Sequence, residues 1–250
     1  MDIQKKEQAE IDFWKTAEHE NPHSDSILNL AVKTSAAKVL WECVQKFPTA
    51  FSSASRILEL GGGQGWAACT IKKLYPQASV VATDISEHAI ASLSKWERIF
   101  NVKIDHSYPC QSYATQENAN SVDVVFCYSA AHHFVKHKKT FLEISRILKP
   151  GGKCFYFFEV ACSKLMYPMA YKRVNRMRPD DVIEDVLIYT ELLSLARRLG
   201  FEATAHFYPT TETRAPLAMM YYYLLGKVAF LQKILPCTVN FEFTKFRANS

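Results

Sequence analysis

The chain has 250 residues, of which 48% are hydrophobic and 22% charged, with a formal net charge of +5. This length is sufficient for one large core, and the composition is too apolar for a disordered chain. The small positive charge permits an anionic partner without arguing for one, because basic and acidic residues are interleaved. The charged start MDIQKKEQAEIDFWK is unlike a secretory signal, and the seven cysteines include no Cys-x-x-Cys pair. We therefore expect a protein of the reducing cytoplasm.

The first fifty residues are predicted to be helical. A short amphipathic segment includes Phe13 and Trp14, and residues 27–47 place apolar side chains at helical spacing after polar capping residues. We expect residues 1–50 to form a helical lid segment ahead of a larger domain in residues 51–250.

From residue 56 onward, short β-rich runs alternate with helical ones. Strands are predicted at 56–60, 79–85, 102–108, 121–130 and 153–160, with helices between them at 66–75, 86–100 and 139–149. A further helix is predicted over 180–201, and two more strands at 202–209 and 238–246. The alternation requires a parallel sheet wrapped by helices.

Four of the eight glycines, Gly61, Gly62, Gly63 and Gly65, lie within five positions after the first predicted strand. A P-loop is excluded because Trp66, not a Gly-Lys-Ser/Thr sequence, follows the last of them. A dinucleotide fingerprint is excluded because its third glycine would fall on a tryptophan or an alanine. The glycines instead allow a close approach of the backbone to some other ligand.

Two acids accompany these glycines: Glu59 lies on the first strand, and Asp84 ends the second, 19 residues after Gly65. A carboxylate at the end of the second strand is able to accept hydrogen bonds from both ribose hydroxyls. A glutamate where a dinucleotide site places pyrophosphate is unsuitable for phosphate but tolerable for an ammonium or sulfonium group. The pattern favours a positively charged nucleoside.

Residues 56–160 resemble the class I S-adenosylmethionine-dependent methyltransferases of the small-molecule type. The blocks ILELGGGQG, VVATDIS and SVDVVFCYSAAHHF…FLEISRILKPGGKCFYF carry the resemblance. It implies an α/β fold: a Rossmann-like, doubly wound, seven-stranded, mostly parallel sheet with an antiparallel edge pair. It also implies a helical N-terminal segment, helical cap insertions near 161–180 and 211–236, and S-adenosylmethionine as cofactor.

The resemblance assigns roles to matching positions. The glycines would flank the methionine moiety with Glu59 beneath them, and Asp84 would bind the ribose. An acid is usual where this chain has Gln111 and Ser112, so the side-chain amide of Gln111 would pair with adenine instead. The alternatives are that Asp84 only caps the next helix and that Ile85 is only a core residue. The implied cofactor contacts are Glu59, Gly61, Gly62, Gly63, Gly65, Asp84, Ile85, Gln111, Ser112, Tyr128 and Ser129.

The predicted activity is methyl transfer to an oxygen or nitrogen of a small molecule. His132 and His133 directly follow the fourth strand, at the edge where ligands bind in such sheets, and are the candidate bases. A structural role for both is the alternative, and Tyr128 is a candidate for positioning the acceptor. No metal is expected.

The acceptor is predicted to be partly apolar or aromatic. The apolar residues 215–236 suggest a helical lid or a homodimer contact; a peripheral membrane helix is less favoured, and three polar residues argue against a transmembrane one. A basic cluster (Lys172, Arg173, Arg176, Arg178) suits a carboxylate or phosphate on the acceptor, and the equal alternative is a solvated helix face. No nucleic acid is expected. The predicted acceptor contacts are Trp14, His19, Arg173, Met219 and Tyr222.

Two other functions are compatible with the sequence. One is a protein that keeps the fold for binding or interaction without turnover. The other is transfer of a different alkyl group of the cofactor, which favours a more acidic acceptor pocket.

Overall fold

A mixed sheet of eight strands forms the centre of the computed structural model, which describes residues 3–21, 24, 26–176, 184–212 and 214–247. Its main path runs β3-β2-β1-β4-β5-β8-β7, and β6 pairs with β5 off this path. Neighbours among β1–β6 are parallel, whereas β8 is antiparallel to both β5 and β7. The strands are β1 (Arg56–Glu59), β2 (Ser79–Asp84), β3 (His106–Pro109), β4 (Val122–Tyr128), β5 (Leu148–Cys162), β6 (Leu187–Ile188), β7 (Phe201–Phe207) and β8 (Cys237–Lys245).

Helices connect the strands and cover both faces of the sheet. In chain order they are α1 (Ile3–Thr16), α2 (Ile27–Val44), α3 (Pro48–Ser52), α4 (Trp66–Leu74), α5 (Glu87–Ile90), α6 (Leu93–Phe100), α7 (His137–Ile147), α8 (Tyr167–Asn175), α9 (Tyr189–Arg198), α10 (Pro216–Lys227) and α11 (Ala229–Gln232). Capping fixes where some of them begin: the hydroxyl of Ser26 accepts a hydrogen bond from the backbone N–H of Asn29 at the start of α2.

Two hydrophobic cores lie on opposite faces of the sheet. Phe141 of α7 and Leu192 of α9 belong to one of them, and Leu40 of α2 and Trp96 of α6 to the other. Consecutive residues of β1 contribute to different cores, because alternate side chains of a strand face opposite sides. This arrangement leaves the carboxyl ends of β1, β2, β4 and β5 together at one edge.

The predicted α/β fold, with its mostly parallel sheet and antiparallel edge pair, is confirmed, but the number of strands is eight rather than seven. The additional strand arises because Leu187 and Ile188 pair with Ala161 and Cys162 at the end of β5. The helix predicted over 180–201 therefore begins only at Tyr189, and residues 180–183 lie outside the described part of the chain. Pairing of residues 187–188 with β5 requires an extended backbone, which overrides the helical pattern.

The apolar residues 215–236 form α10 and α11, which are separated at Val228. Within the described ranges, no helix is both long and apolar enough to cross a bilayer. The inner side of α10 packs through Tyr222 and Leu225 against Cys237 of β8. Its outer side exposes Leu217 and Met220.

Candidate active site

The loop between β1 and α4 is built around glycine. Gly61, Gly63 and Gly65 have left-handed φ angles of 65°, 54° and 81°, which other residues rarely adopt. At position 62 the packing requires a glycine, because a Cβ there would lie 2.5 Å from a carboxylate oxygen of Glu59. The loop consequently exposes backbone at the carboxyl end of the sheet.

Glu59 supports this loop from below. Its carboxylate accepts a hydrogen bond from the backbone N–H of Ala68 (3.1 Å) in the first turn of α4. The Glu59 side chain is buried. Burial raises the pKa of Glu59 to about 8. Because Glu59 lines neither of the cavities described below, any effect on a bound ligand is transmitted through the loop.

Asp84 joins the glycine loop to the end of β2. One carboxylate oxygen accepts a hydrogen bond from the backbone N–H of Gly63 (2.8 Å), and the other accepts one from that of Ser86 (2.8 Å). Burial raises the pKa of Asp84 to about 6. The cap of α5 itself is the Ser86 hydroxyl, which accepts from Ala89 N–H, so capping is not the main task of Asp84. Each carboxylate oxygen keeps a lone pair for a ligand.

Two adjoining cavities open above the glycine loop. The Asp84 cavity, of about 330 Å³, includes Asp84, Ile85, Gln111, Ser112, Ser129 and His133 in its wall. The Trp66 cavity, of about 590 Å³, includes Gly62, Gly63, Trp66, Tyr128, Ser129 and Phe158. Gly61, Ser129 and Trp14 line both, so the cavities meet at the end of β4 and under α1.

The N-terminal helix α1 covers the junction of these cavities. Trp14 lies over the loop, with a ring atom 2.8 Å from the position that a Cβ on Gly63 would occupy. Glu7 pairs with Lys136 (3.2 Å), and Glu10 contacts His133 Nδ1 (2.7 Å). Two polar contacts therefore attach α1 to the segment after β4, and one indole packs it against the glycine loop.

The paired histidines occupy a single 3₁₀ turn at Ala131–His133. His132 Nδ1 lies 2.8 Å from Glu159, whose other carboxylate oxygen accepts hydrogen bonds from the backbone N–H groups of Ala130 (2.8 Å) and Ala131 (2.7 Å). Burial opposes both charges, but their mutual attraction keeps the pKa of Glu159 below, and that of His132 above, its ordinary value. Of the two histidines, His133 lines the Asp84 cavity and His132 is anchored to β5.

Aromatic rings form one wall of the Trp66 cavity. Tyr128 stacks parallel to Phe158 with 5.3 Å between ring centroids, and Trp66 meets Tyr128 edge-on at 5.2 Å. Phe158 has a φ of 58° at an irregularity in β5, and Asn240 holds it there by accepting its backbone N–H (2.9 Å). A phenylalanine in this conformation is energetically unfavourable and is retained only because its surroundings fix it.

Four of the five predicted acceptor contacts lie outside both cavities; only Trp14 lines them. His19 is exposed in the turn after α1, and Arg173 is exposed on α8 with its guanidinium 6.0 Å from the ring of Tyr221. Met219 is 44% exposed, and Tyr222 is buried against the ends of β7 and β8. Met219 and Tyr222 lie outside the cavities because α10 packs against the neighbouring strands β7 and β8 instead of over the glycine loop. Of the basic cluster, Arg178 lies outside the described residues.

Sequence reasoning missed several residues of the site. Glu159 had a detectable signal, because an acid inside the apolar run KCFYFFEV needs a buried partner. Trp66 and Phe158 resembled ordinary core residues. Glu10 and Glu184 resembled surface acids, and only the folded chain brings them to His133.

Comparison with known proteins agrees with this geometry. Residues 58–156 match the family described as "Methyltransferase domain". The uncharacterized methyltransferase YcgJ of Bacillus subtilis is 25% identical over 149 residues, or 59% of this chain and 58% of that protein. The ribosomal RNA small subunit methyltransferase C of Hahella chejuensis is 34% identical over 102 residues, or 39% of this chain and 29% of that protein. The matched regions thus span less than two thirds of these relatives.

Solved structures share the fold at low sequence identity. The crystal structure of YcgJ has a TM-score of 0.60 at 14% identity and covers 84% of this chain and 99% of that one. Geranyl diphosphate C-methyltransferase from Streptomyces coelicolor, solved with Mg²⁺, geranyl diphosphate and S-adenosylhomocysteine, has a TM-score of 0.67 at 11% identity and covers 96% and 97%. The glycine loop and the acid ending β2 both lie within residues 58–156, the part of the chain that matches the methyltransferase domain, and the solved structures share its fold.

Proposed function

We propose that this protein transfers the methyl group of S-adenosylmethionine to an oxygen or nitrogen atom of a small acceptor. The observation that carries the proposal is the meeting of two cavities at Gly61 and Ser129. One cavity has a carboxylate suited to ribose, and the other has an aromatic wall suited to an apolar acceptor. Such a junction would hold two ligands side by side, and alignment of this kind supplies much of the catalysis of a direct displacement.

The residues of the Asp84 cavity fit the nucleoside part of the cofactor. Asp84 offers acceptor oxygens at the end of β2, Ile85 offers an apolar surface, and Gln111 and Ser112 offer amide and hydroxyl groups. The glycine loop provides the close backbone approach that the methionine part needs, since a side chain at Gly62 or Gly63 would collide with Glu59 or Trp14. When bound, the cofactor supplies an electrophilic methyl group.

The acceptor is proposed to bind in the Trp66 cavity. The stacked pair of Tyr128 and Phe158 favours a flat or apolar molecule, because ring contacts of this kind are geometrically selective. His133, at the neighbouring cavity wall, is the imidazole best placed to accept a proton from a hydroxyl or amine. His132 is proposed to hold the 3₁₀ turn in place through Glu159.

The proposal is tested by binding and turnover together. Calorimetry with S-adenosylmethionine, S-adenosylhomocysteine and NAD should give binding of the first two only. Methyl-labelled cofactor is then incubated with panels of phenols, amines and carboxylic acids. Binding of NAD alone would overturn the proposal, and cofactor binding without transfer to any acceptor would favour the non-catalytic alternative.

The histidine roles are tested with the acceptor found in that panel. In single-turnover methyl transfer, His133→Ala should lose roughly 100- to 10,000-fold in rate if it is the general base, with cofactor affinity retained. His132→Ala serves as the comparison. If both variants transfer methyl at near-normal rates, neither histidine is the base.

A further inference from the structure

His132, His133 and Glu184 converge beside the Asp84 cavity. Each offers one atom able to bind a metal, and these three atoms lie within 4.8 Å of one another. All three side chains are half-buried, and His133 Nε2 is 4.0 Å from a carboxylate oxygen of Glu184. Glu184 is held in place because Asn175 bonds both its backbone N–H and its carbonyl oxygen.

The outer partners of both histidines prepare them as ligands. Glu159 contacts Nδ1 of His132 at 2.8 Å, and Glu10 contacts Nδ1 of His133 at 2.7 Å. A carboxylate at Nδ1 fixes the proton on that nitrogen in the neutral ring and leaves the lone pair on Nε2. Histidines that bind metals characteristically have such a carboxylate behind them.

We propose that His132, His133 and Glu184 form a site for a divalent transition-metal ion with an open coordination position toward the Asp84 cavity. Two imidazoles and one carboxylate suit zinc, cobalt or iron(II) better than magnesium, which prefers oxygen ligands. Donors bound at about 2.1 Å around one ion lie roughly 3–3.5 Å apart, so closing the site requires side-chain shifts of about an ångström.

The role of such an ion rests on the proposed function. At the open position it would bind a hydroxyl or carboxylate oxygen of an acceptor that extends from the Trp66 cavity past the shared wall at Ser129. By lowering the pKa of a bound hydroxyl it would let that proton pass to water, so that no imidazole base is needed. The two roles are exclusive for a given imidazole, because a lone pair that binds a metal is unable to accept a proton.

The experiment is a titration of the purified full chain with Co²⁺ alone, followed by its visible absorption bands and by calorimetry. We expect saturable binding that Zn²⁺ displaces and Mg²⁺ does not. His133→Ala and Glu184→Gln should each weaken Co²⁺ binding by at least the roughly 10- to 100-fold that loss of an outer partner costs. For Glu10→Gln the loss of Co²⁺ affinity should lie within that range. His106 is an exposed histidine on β3, and His106→Ala should bind Co²⁺ like wild type.

Cofactor binding and circular dichroism establish that each variant is folded. Absence of saturable Co²⁺ binding, or equal binding by wild type, His133→Ala and Glu184→Gln, overturns the metal site. Cofactor binding without metal leaves the proposed methyl transfer intact. Metal binding without cofactor binding supports the metal site and argues against the methyl transfer.

Discussion

Glu59 provides a direct test of how this fold accommodates a buried acid. The carboxyl lies beneath the glycine loop, where it accepts one hydrogen bond from Ala68, and its pKa is raised from 4.5 to about 8 by burial. At neutral pH it is therefore mostly protonated in the folded protein and ionised in the unfolded chain. Glu59→Gln keeps the shape and an acceptor oxygen but removes the titration.

The expected effect follows from proton linkage. Between pH 4.5 and 8 the folded state binds more protons than the unfolded state, so the contribution of Glu59 to stability is fully present below 4.5 and is lost as pH rises. The loss approaches about 1.4 kcal/mol per pH unit and totals about 5 kcal/mol over this interval. Relative to wild type, Glu59→Gln should therefore become steadily more stable with increasing pH.

Urea unfolding at a series of pH values measures this difference. Glu202→Gln, which removes an exposed carboxylate on β7, is the control and should run parallel to wild type. If the Glu59→Gln curve also runs parallel, the carboxyl is not held neutral and the account of the loop support is wrong. Glu59→Ala should in addition cost about 1–3 kcal/mol, because the Ala68 N–H loses its buried partner.

Two further predictions concern the loop and the ribose site. Asp84→Ala should weaken S-adenosylmethionine binding in calorimetry by about 1.5–3 kcal/mol. In wild type the affinity should fall as pH drops below about 6, where Asp84 becomes protonated; equal affinity on both sides of that pH would contradict the assignment. Gly62→Ala should impair folding or cofactor binding, because its Cβ would meet the buried Glu59 carboxylate. Gly226 lies in a helix, and a Cβ there would have no atom closer than 4.0 Å. Gly226→Ala should therefore raise the free energy of unfolding by up to about 1 kcal/mol in thermal unfolding. Equal changes in stability for Gly62→Ala and Gly226→Ala would refute the packing argument.

Local sequence patterns predicted those parts of the fold whose conformation depends on residues nearby in the chain. The strand, the glycine loop and Asp84 lie within thirty residues of one another, and their spacing alone predicted a site at one edge of the sheet. The parts that were missed depend on distant partners. Glu10 reaches His133 across 123 positions, and Phe158 takes its left-handed conformation because of Asn240, 82 positions away. The predicted acceptor contacts on α10 lie away from the cavities for a different reason, since this helix packs against Cys237, 15 positions after Tyr222.

The position of β8 has a consequence for the synthesis of this protein. Residues 237–245 lie inside the sheet, between β5 and β7, and β7 has no other strand neighbour among the described residues. While the chain leaves the ribosome, β1–β5 are able to assemble, but one edge of β5 and both edges of β7 stay unpaired until the final strand emerges. Unpaired strand edges promote association between chains. The nascent protein is thus most vulnerable to aggregation after its glycine loop and Asp84 are complete, and a truncation before residue 237 would leave β5 and β7 without the strand that joins them.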